Sequence, residues 1–287
     1  MTAQIDKQTI KEREFKSWTT VAPGWRKHDA RLVHYSKNVT DKMIELANVR
    51  AGDRVLDIAS GAGQPALGFA LAVGRNGHVL ATDFVEEMLT YAREKAAQQG
   101  FDNIEFRHVD GEVVDVPAGA FDAVTCRWGI IFMPDPLACL RRAHVALKPG
   151  GRVVLACWKG PEENPFVAVP LGVLKRHMEL PVPPPGAPGI FSFADNKRLE
   201  GVMREAGFDE VKLESVSLTM AEFQSGAEYF TYIQELAGPV ASLFQQLPAD
   251  KKARVEQEII SEVEQKYRSD GQVRLGGVTW VAVGVRR

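Results

Sequence analysis

Residues 55–70 read VLDIASGAGQPALGFA, and this stretch decides the fold of the chain. A short apolar run leads into a glycine turn, in which Gly61, Gly63 and Ala66 match the pattern G-x-G-x-x-G/A before an apolar helical segment. Glycine allows the tight turn and lets a ligand approach the backbone closely. A strand, a glycine turn and a helix in this order are typical of an α/β fold that binds a nucleotide-like ligand where the strand ends.

The rest of the chain alternates short apolar segments with amphipathic ones. The apolar segments predict strands at 54–59, 78–83, 104–110, 123–127, 152–158, 211–218 and 278–285. The amphipathic segments predict helices near 64–74, 85–99, 135–147, 195–206, 221–237 and 249–267. Strands and helices in alternation predict a parallel sheet with right-handed crossovers.

The pattern indicates one domain with two helical additions. A helical cap, the nucleotide-binding core in two parts and a helical lid inserted before the last strand are expected at residues 1–50, 51–220 with 271–287, and 221–270. The alternation of strand and helix segments is interrupted between residues 159 and 193. The run PVPPPGAP at 181–188 predicts an extended loop there, because proline fixes φ and lacks a backbone donor.

The composition excludes several classes of protein. A net charge of −2, from 35 Lys and Arg against 37 Asp and Glu, argues against a nucleic-acid binder with a strongly basic surface. No apolar run reaches the roughly 18 residues of a membrane span, and the charged N-terminus is not a secretory signal. Cys126, Cys139 and Cys157 form no C-x-x-C pair. We therefore expect a cytoplasmic protein with reduced cysteines and no metal site.

Three aspartates are predicted to follow or end strands near the glycine turn. Asp83 lies 20 residues after Gly63, where a carboxylate can accept hydrogen bonds from ribose hydroxyls. Asp57 would repel a pyrophosphate, whereas it suits the ammonium and sulfonium groups of S-adenosylmethionine. Asp110, followed by Gly111, can accept from an adenine amino group. This order favours S-adenosylmethionine, but a nicotinamide-dependent oxidoreductase that uses the same glycine loop stays as the alternative.

Several segments resemble the successive motifs of class I S-adenosylmethionine-dependent methyltransferases, in particular the small-molecule type that includes the ubiquinone/menaquinone-biosynthesis C-methyltransferases. These segments are VLDIASGAG, ATDFVEEML, HVDGE, FDAVTCRWGIIFMPDP and LKPGGRVVL, and the resemblance covers about residues 50–160. It implies a Rossmann-like sheet of seven strands, the last antiparallel, with S-adenosylmethionine as cofactor. One departure is Ala59, where many members of the family have glycine.

The resemblance also implies roles for individual residues. Asp57, Gly61 and Gly63 would hold the methionine end of the cofactor, Asp83 the ribose and Asp110 the adenine. The resemblance also matches Arg127 to a position whose backbone would meet the methionine ammonium. From their positions in the sequence, Phe84 and Met88 could pack against the adenine face, and Ala59 and Gly111 in the loops complete the expected cofactor-binding residues.

Aromatic residues indicate the chemistry of the methyl acceptor. Trp128 and Phe132 follow the fourth strand, and Trp18 and Trp25 in the cap can close the other side of the site. Further aromatic side chains in the later segments could wall the pocket: Phe166, Phe191, Phe193, Phe223, Tyr229, Phe230 and Tyr232. We expect a small, aromatic or apolar acceptor that receives the methyl group on oxygen, nitrogen or carbon. The sequence singles out no general base and determines no oligomeric state.

Overall fold

The computed structural model describes residues 6–180 and 186–287, so most of the predicted proline-rich loop lies outside the described residues. The N-terminal cap consists of three helices, α1 (Lys7–Lys27), α2 (Asp29–Tyr35) and α3 (Lys37–Ala47). The alternating core comprises β1 (Arg54–Ile58), α4 (Ala66–Val73), β2 (His78–Asp83), α5 (Glu86–Gln98), β3 (Ile104–His108), β4 (Phe121–Arg127), α6 (Pro136–Ala146) and β5 (Leu147–Trp158).

The second half of the chain completes the sheet and adds the inserted helices. Its elements are α7 (Pro165–His177), α8 (Asn196–Glu205), β6 (Asp209–Phe223), α9 (Gly226–Leu236), α10 (Gly238–Gln245), α11 (Ala249–Tyr267), β7 (Arg268–Ser269) and β8 (Gln272–Val285). Short 3-10 turns lie at Ile130–Phe132 and Pro161–Glu163. No helix of the described residues is long and apolar enough to cross a membrane.

One sheet organises the molecule, with the strand order β3-β2-β1-β4-β5-β8-β6. The strands β1 to β5 run parallel to one another, whereas β8 is antiparallel to both β5 and β6. The two-residue strand β7 pairs with β8 beside this path. The predicted Rossmann-like sheet with an antiparallel last strand is therefore confirmed, with β7 as a small addition.

The central strand β1 explains why the sheet forms here. Val55, Leu56 and Ile58 are fully buried, because helices cover both faces of the sheet. A parallel strand in this position needs a continuous apolar run rather than an alternating one. The carboxyl ends of β1, β2, β3 and β4 consequently meet at one edge, where the loops of the site begin.

Two sequence predictions in the second half were wrong. The helix expected at 221–237 begins at Gly226, because Ala221 and Phe223 continue β6 and pair with β8, and Ser225 caps the helix. The interruption between 159 and 193 contains α7, which has Pro170 in its interior. Tertiary packing overrides the proline, since one face of α7 is buried in the core.

The cap and the inserted helices pack against each other over the strand ends. A Cβ atom on Gly24 of α1 would lie 2.0 Å from the carbonyl oxygen of Glu235, so the two helices touch through their backbones. The Trp25 indole N–H donates to the Leu236 carbonyl at 3.1 Å, and Lys27 forms an ion pair with Glu235 at 2.7 Å. Two segments far apart in sequence therefore form one cover.

We predict that Gly24→Ala separates α1 from α9 and lowers the free energy of unfolding by about 2 kcal/mol, the cost of an overpacked contact. Gly201→Ala is the matched control, because Gly201 lies in α8 with open space around it and alanine should stabilise that helix by about 0.5–1 kcal/mol. Urea denaturation of both variants measures the difference. Equal effects of the two substitutions would show that the close contact is unimportant.

Candidate cofactor and acceptor site

The strand ends open into one long cleft beneath α1 and the α9–α10 pair. About 1760 Å³ in the cleft, its open mouth included, is not filled by protein atoms. Most of the predicted site residues line it: Trp25, Ala59, Gly61, Asp83, Phe84, Met88, Asp110, Gly111, Arg127, Trp128 and Phe132. Asp57 and Gly63 do not line the cleft and lie beneath its floor.

The glycine loop forms the floor of one half of the cleft. The Ser60 N–H donates to the Thr82 carbonyl at 2.9 Å, which ties the loop to β2. Ala59 and Gly61 both have positive φ, of 57° and 53°, and Gly61 has open space above it. Gly63, with φ of 100°, packs instead towards Ala92 of α5. Gly61 therefore presents its backbone to a ligand, whereas Gly63 lets α5 approach the loop.

Asp57 lies within the sheet and not at its edge. The Thr125 hydroxyl donates to Asp57 Oδ1 at 2.5 Å, and Asp57 Oδ2 is buried without a hydrogen-bond partner among the described residues. Burial raises the pKa of Asp57 to about 7, although Thr125 and the charge of Arg127 oppose the rise. The carboxylate can influence a ligand through its charge rather than by direct contact.

Asp83 holds the loop and the start of the next helix together. Its carboxylate accepts from the Gly61 and Val85 N–H groups, each at 2.9 Å. Burial raises the pKa of Asp83 to about 6, and these two hydrogen bonds oppose the rise. Each oxygen keeps acceptor capacity towards the cleft, and the apolar side chains of Phe84 and Met88 line the cleft beside it.

Asp110 lies in the loop that follows β3 and receives a side chain from the cap. Its Oδ1 accepts from the Glu112 N–H at 2.9 Å, while Lys11 Nζ of α1 lies 2.5 Å from Oδ2. Lys11 also lies 2.7 Å from Glu112 Oε2. A Cβ atom on Gly111 would lie 2.5 Å from Ile58, so only glycine allows the loop to lie this close to β1. The cap is therefore anchored at the end of β3.

The Arg127 side chain has a structural role that sequence reasoning did not foresee. Its buried guanidinium donates to the hydroxyl of Ser36 at 2.6 Å, the hydroxyl of Thr40 at 3.2 Å and the carbonyl of Gln64 at 3.0 Å. Burial lowers the pKa of Arg127 to about 10, so the group stays charged at neutral pH. The guanidinium thus joins β4 to the cap helices and to the glycine loop.

The other half of the cleft is walled by aromatic rings. Trp128 stacks on Trp158 with ring centroids 4.3 Å apart, and Phe166 contacts Trp158 at 4.8 Å. The Trp128 indole N–H is already satisfied, because it donates to the Thr279 hydroxyl at 3.1 Å. Aliphatic side chains complete the wall: Val167, Leu171, Ile190, Met220, Ile233, Leu236 and Val240.

Tyr232 supplies a polar atom to this apolar half. It is 2% exposed, and its hydroxyl has no partner among the described residues. Burial raises the pKa of Tyr232, so the hydroxyl stays neutral and can donate a hydrogen bond. Its ring lies against His28, whose Nε2 lies 2.5 Å from Glu235 Oε2.

Several aromatic residues that the sequence suggested for the pocket wall belong to the core instead. Phe166 and Tyr232 line the cleft, whereas the others do not: Phe191, Phe193, Phe223, Tyr229 and Phe230. The Tyr229 hydroxyl, for example, donates to the Phe166 carbonyl at 2.6 Å beneath α7. Tyr229 and Phe230 lie on α9 and Phe223 lies on β6, and the sequence pattern could not distinguish a core face of these elements from a pocket face.

Sequence reasoning missed Lys11 and Glu14, which line the cleft from α1. Together with Trp18 and Trp25 they recur at intervals of three, four and seven residues, the spacing of one helix face. This periodicity in KEREFKSWTTVAPGW was the available signal. No group of three or more metal-ligating side chains occurs among residues 6–180 and 186–287.

Comparisons with known proteins agree with this geometry. Residues 33–168 match the model of the ubiE/COQ5 methyltransferase family. The ubiquinone/menaquinone biosynthesis C-methyltransferase UbiE of Teredinibacter turnerae is 32% identical over 179 residues, which cover 59% of this chain and 72% of that protein.

Solved structures show the same fold. The YcgJ protein of Bacillus subtilis superposes with a TM-score of 0.58 at 21% identity, covering 88% of this chain and 99% of that one. Phosphoethanolamine N-methyltransferase 2 of Haemonchus contortus, solved with S-adenosylhomocysteine, gives a TM-score of 0.53 at 16% identity and covers 87% of this chain and 53% of its own.

These findings do not support the alternative of a nicotinamide-dependent oxidoreductase. They agree with the cleft, in which the Asp83 carboxylate accepts from the glycine loop and lines the space beside it. The chain belongs to the ubiE/COQ5 methyltransferase family and is an S-adenosylmethionine-dependent methyltransferase.

Proposed function

We propose that this enzyme methylates a ring carbon of a small, largely apolar aromatic metabolite. The observation that carries the proposal is the continuity of the cleft: a half lined by carboxylates and the glycine loop opens directly into a half walled by Trp128, Trp158 and Phe166. The carbon acceptor is supported by the relatives, which are named as C-methyltransferases of ubiquinone and menaquinone biosynthesis.

The cofactor would lie along the strand ends in the first half of the cleft. We assign its methionine part to the backbone at Ala59, Gly61 and Arg127, near the buried charge of Asp57. Asp83 would accept from the ribose hydroxyls and Asp110 from the adenine amino group. Phe84, Met88, Gly111 and Phe132 would surround the adenine. When bound, S-adenosylmethionine supplies an activated methyl group on its sulfonium.

The residues of the second half would align the acceptor and exclude water. The stacked indoles of Trp128 and Trp158 offer a flat apolar surface on which an aromatic ring can lie. Trp25 closes the cover through its hydrogen bond to Leu236. Because the methyl donor is already activated, holding the acceptor in line supplies much of the rate enhancement.

Tyr232 would orient the acceptor within this half. Tyr232 lines the cleft, and its buried, neutral hydroxyl has unused donor capacity among the described residues. A hydroxyl oxygen attached to the aromatic ring of the acceptor would receive that hydrogen bond, since an unpaired buried hydroxyl is costly. The acceptor class is therefore a hydroxylated aromatic ring with an otherwise apolar surface.

The cysteines support a location in the cytoplasm. Cys126, Cys139 and Cys157 are buried and form no disulfide. Burial raises the pKa of the Cys126 thiol to about 12, which keeps it protonated and unreactive. We therefore assign no nucleophilic role to Cys126.

Lowering the pH should weaken binding of S-adenosylmethionine more than binding of S-adenosylhomocysteine. The pKa values of Asp57 and Asp83, about 7 and about 6, mean that both carboxyls take up protons as the pH falls through this range. We expect the Kd for the positively charged sulfonium compound to rise at least about tenfold between about pH 8 and about pH 5.5. Titration calorimetry measures both ligands, and parallel curves would contradict the charge assignment.

The variant Asp83→Ala should weaken binding of S-adenosylhomocysteine by roughly tenfold to a hundredfold, because a charged hydrogen-bond acceptor at the ribose is lost. Asp115→Ala is the control, since the Asp115 side chain is 95% exposed. The same titrations with melting curves separate lost affinity from lost folding. An unchanged Kd in a folded Asp83→Ala variant would show that the ribose assignment is wrong.

The acceptor class is tested with labelled S-adenosylmethionine and three probes, a dihydroxynaphthalene, a dihydroxybenzene and a naphthylamine. We expect a ring-methylated product from a hydroxylated probe, identified by mass spectrometry and NMR. Tyr232→Phe should lower kcat/KM for that probe about tenfold, while the Kd for S-adenosylhomocysteine stays unchanged. Tyr267→Phe, on α11, is the matched control. Methylation of the amine alone would overturn the proposal.

A further inference from the structure

One face of α1 forms part of the cofactor half of the cleft. Lys11, Glu14 and Trp18 lie on this face and line the cleft beside Asp110 and Phe132. The ion pair of Lys11 with Asp110 fixes one end of the face, and the Trp18 ring contacts the Phe132 ring at 5.1 Å between centroids. Glu14 lies between these two anchors.

The carboxylate of Glu14 is buried and only partly satisfied. The residue is 8% exposed, and its Oε1 lies 3.2 Å from Nη2 of the exposed Arg13. Its Oε2 is enclosed and has no hydrogen-bond partner among the described residues. Burial raises the pKa of Glu14, and the neighbouring side chains of Arg13 and Trp18 oppose that rise. A buried acceptor without a donor costs stability, so such a group calls for an explanation.

The neighbouring carboxylates differ from Glu14 in this respect. Asp83 accepts from two backbone N–H groups, and Asp110 accepts from Glu112 and Lys11. Glu14 has the largest unused acceptor capacity of the three. An adenosine group presents an amino group and two ribose hydroxyls, which are the donors that a carboxylate oxygen lacks here.

We propose that Glu14 is a cofactor-binding residue whose Oε2 accepts a hydrogen bond from the adenosine part of S-adenosylmethionine. The inference rests on the cofactor placement given under the proposed function. Through this bond the cofactor holds α1 over the cleft, so the cap becomes part of the binding site. Lys11 and Trp18 position the helix, and Glu14 touches the ligand.

A merely structural role makes the opposite prediction for stability. If Glu14 served only to support α1, its replacement would lower the melting temperature. If it is an unsatisfied acceptor kept for the ligand, Glu14→Met removes a buried carboxylate at similar length. That variant should then melt at the same or a higher temperature without ligand and bind the cofactor less tightly.

The experiment is titration calorimetry with S-adenosylhomocysteine on the full chain, for the parent protein, Glu14→Met, Glu14→Gln and the control Glu12→Met. Glu12 lies on the exposed side of the same helix, and its carboxylate accepts from the Gln8 amide at 3.0 Å. We expect at least about tenfold weaker binding for Glu14→Met, a smaller loss for Glu14→Gln, which keeps an acceptor oxygen, and none for Glu12→Met.

Hydrogen exchange gives a second readout that does not depend on affinity alone. At saturating S-adenosylhomocysteine, residues 7–27 should gain protection in the parent protein and less in Glu14→Met. S-Inosylhomocysteine, which lacks the amino group, locates the bond. If Glu14→Met and the parent protein bind this ligand equally well, the Glu14 hydrogen bond is to the adenine amino group. If Glu14→Met still binds it more weakly than the parent protein, the hydrogen bond is to the ribose.

Two results would overturn the inference and can be distinguished. If the parent protein binds S-adenosylhomocysteine and Glu14→Met binds it equally well, Glu14 is not a cofactor-binding residue although the proposed cofactor site stands. If the parent protein itself does not bind, the proposed cofactor site fails and the role of Glu14 fails with it.

Discussion

The hydrogen bonds that the Asp83 carboxylate accepts from Gly61 and Val85 hold the site together. They join the loop after β1 to the end of β2, and so give the glycine turn a single geometry. The same carboxylate faces the cleft, where it has acceptor capacity left for a ligand. An ionised carboxylate accepts from the two N–H groups and from ligand hydroxyls more strongly than a neutral amide oxygen would, because charge strengthens hydrogen bonds.

Burial of the Asp83 and Asp57 carboxylates has opposite effects on the stability of the fold and on cofactor binding. A carboxyl whose pKa is higher in the folded chain than in the unfolded one stabilises the fold below its unfolded pKa of about 4. That contribution is lost as the pH rises through about 6 for Asp83 and about 7 for Asp57. At neutral pH, the buried negative charges that attract a sulfonium compound therefore lower the free energy of unfolding of the ligand-free enzyme, and such a loss of stability is common at binding sites.

The cover over the cleft follows from packing between segments far apart in the chain. Gly24 brings the backbone of α1 onto α9, and Trp25 and Lys27 complete the contact with Leu236 and Glu235. The guanidinium of Arg127 reaches from β4 to Ser36 and so ties the cap to the sheet as well. Direct contacts thus join the cofactor half of the cleft, the acceptor half and the helices that cover them, so a bound ligand can affect all three.

The sequence by itself determined the parallel core, the glycine loop and the three aspartates at or near the strand ends. Strand and helix periodicities are local, and alternation forces the carboxyl ends of β1 to β4 to one edge, so Asp83 and Asp110 had to come together. Only the tertiary structure decided that Asp57 lies beneath the floor, that α7 forms despite Pro170, and that β6 continues through Phe223. It also decided which distant side chains meet, such as Lys11 with Asp110. These outcomes depend on how helices and strands distant in sequence pack and pair, and such contacts leave no pattern in a short stretch of sequence.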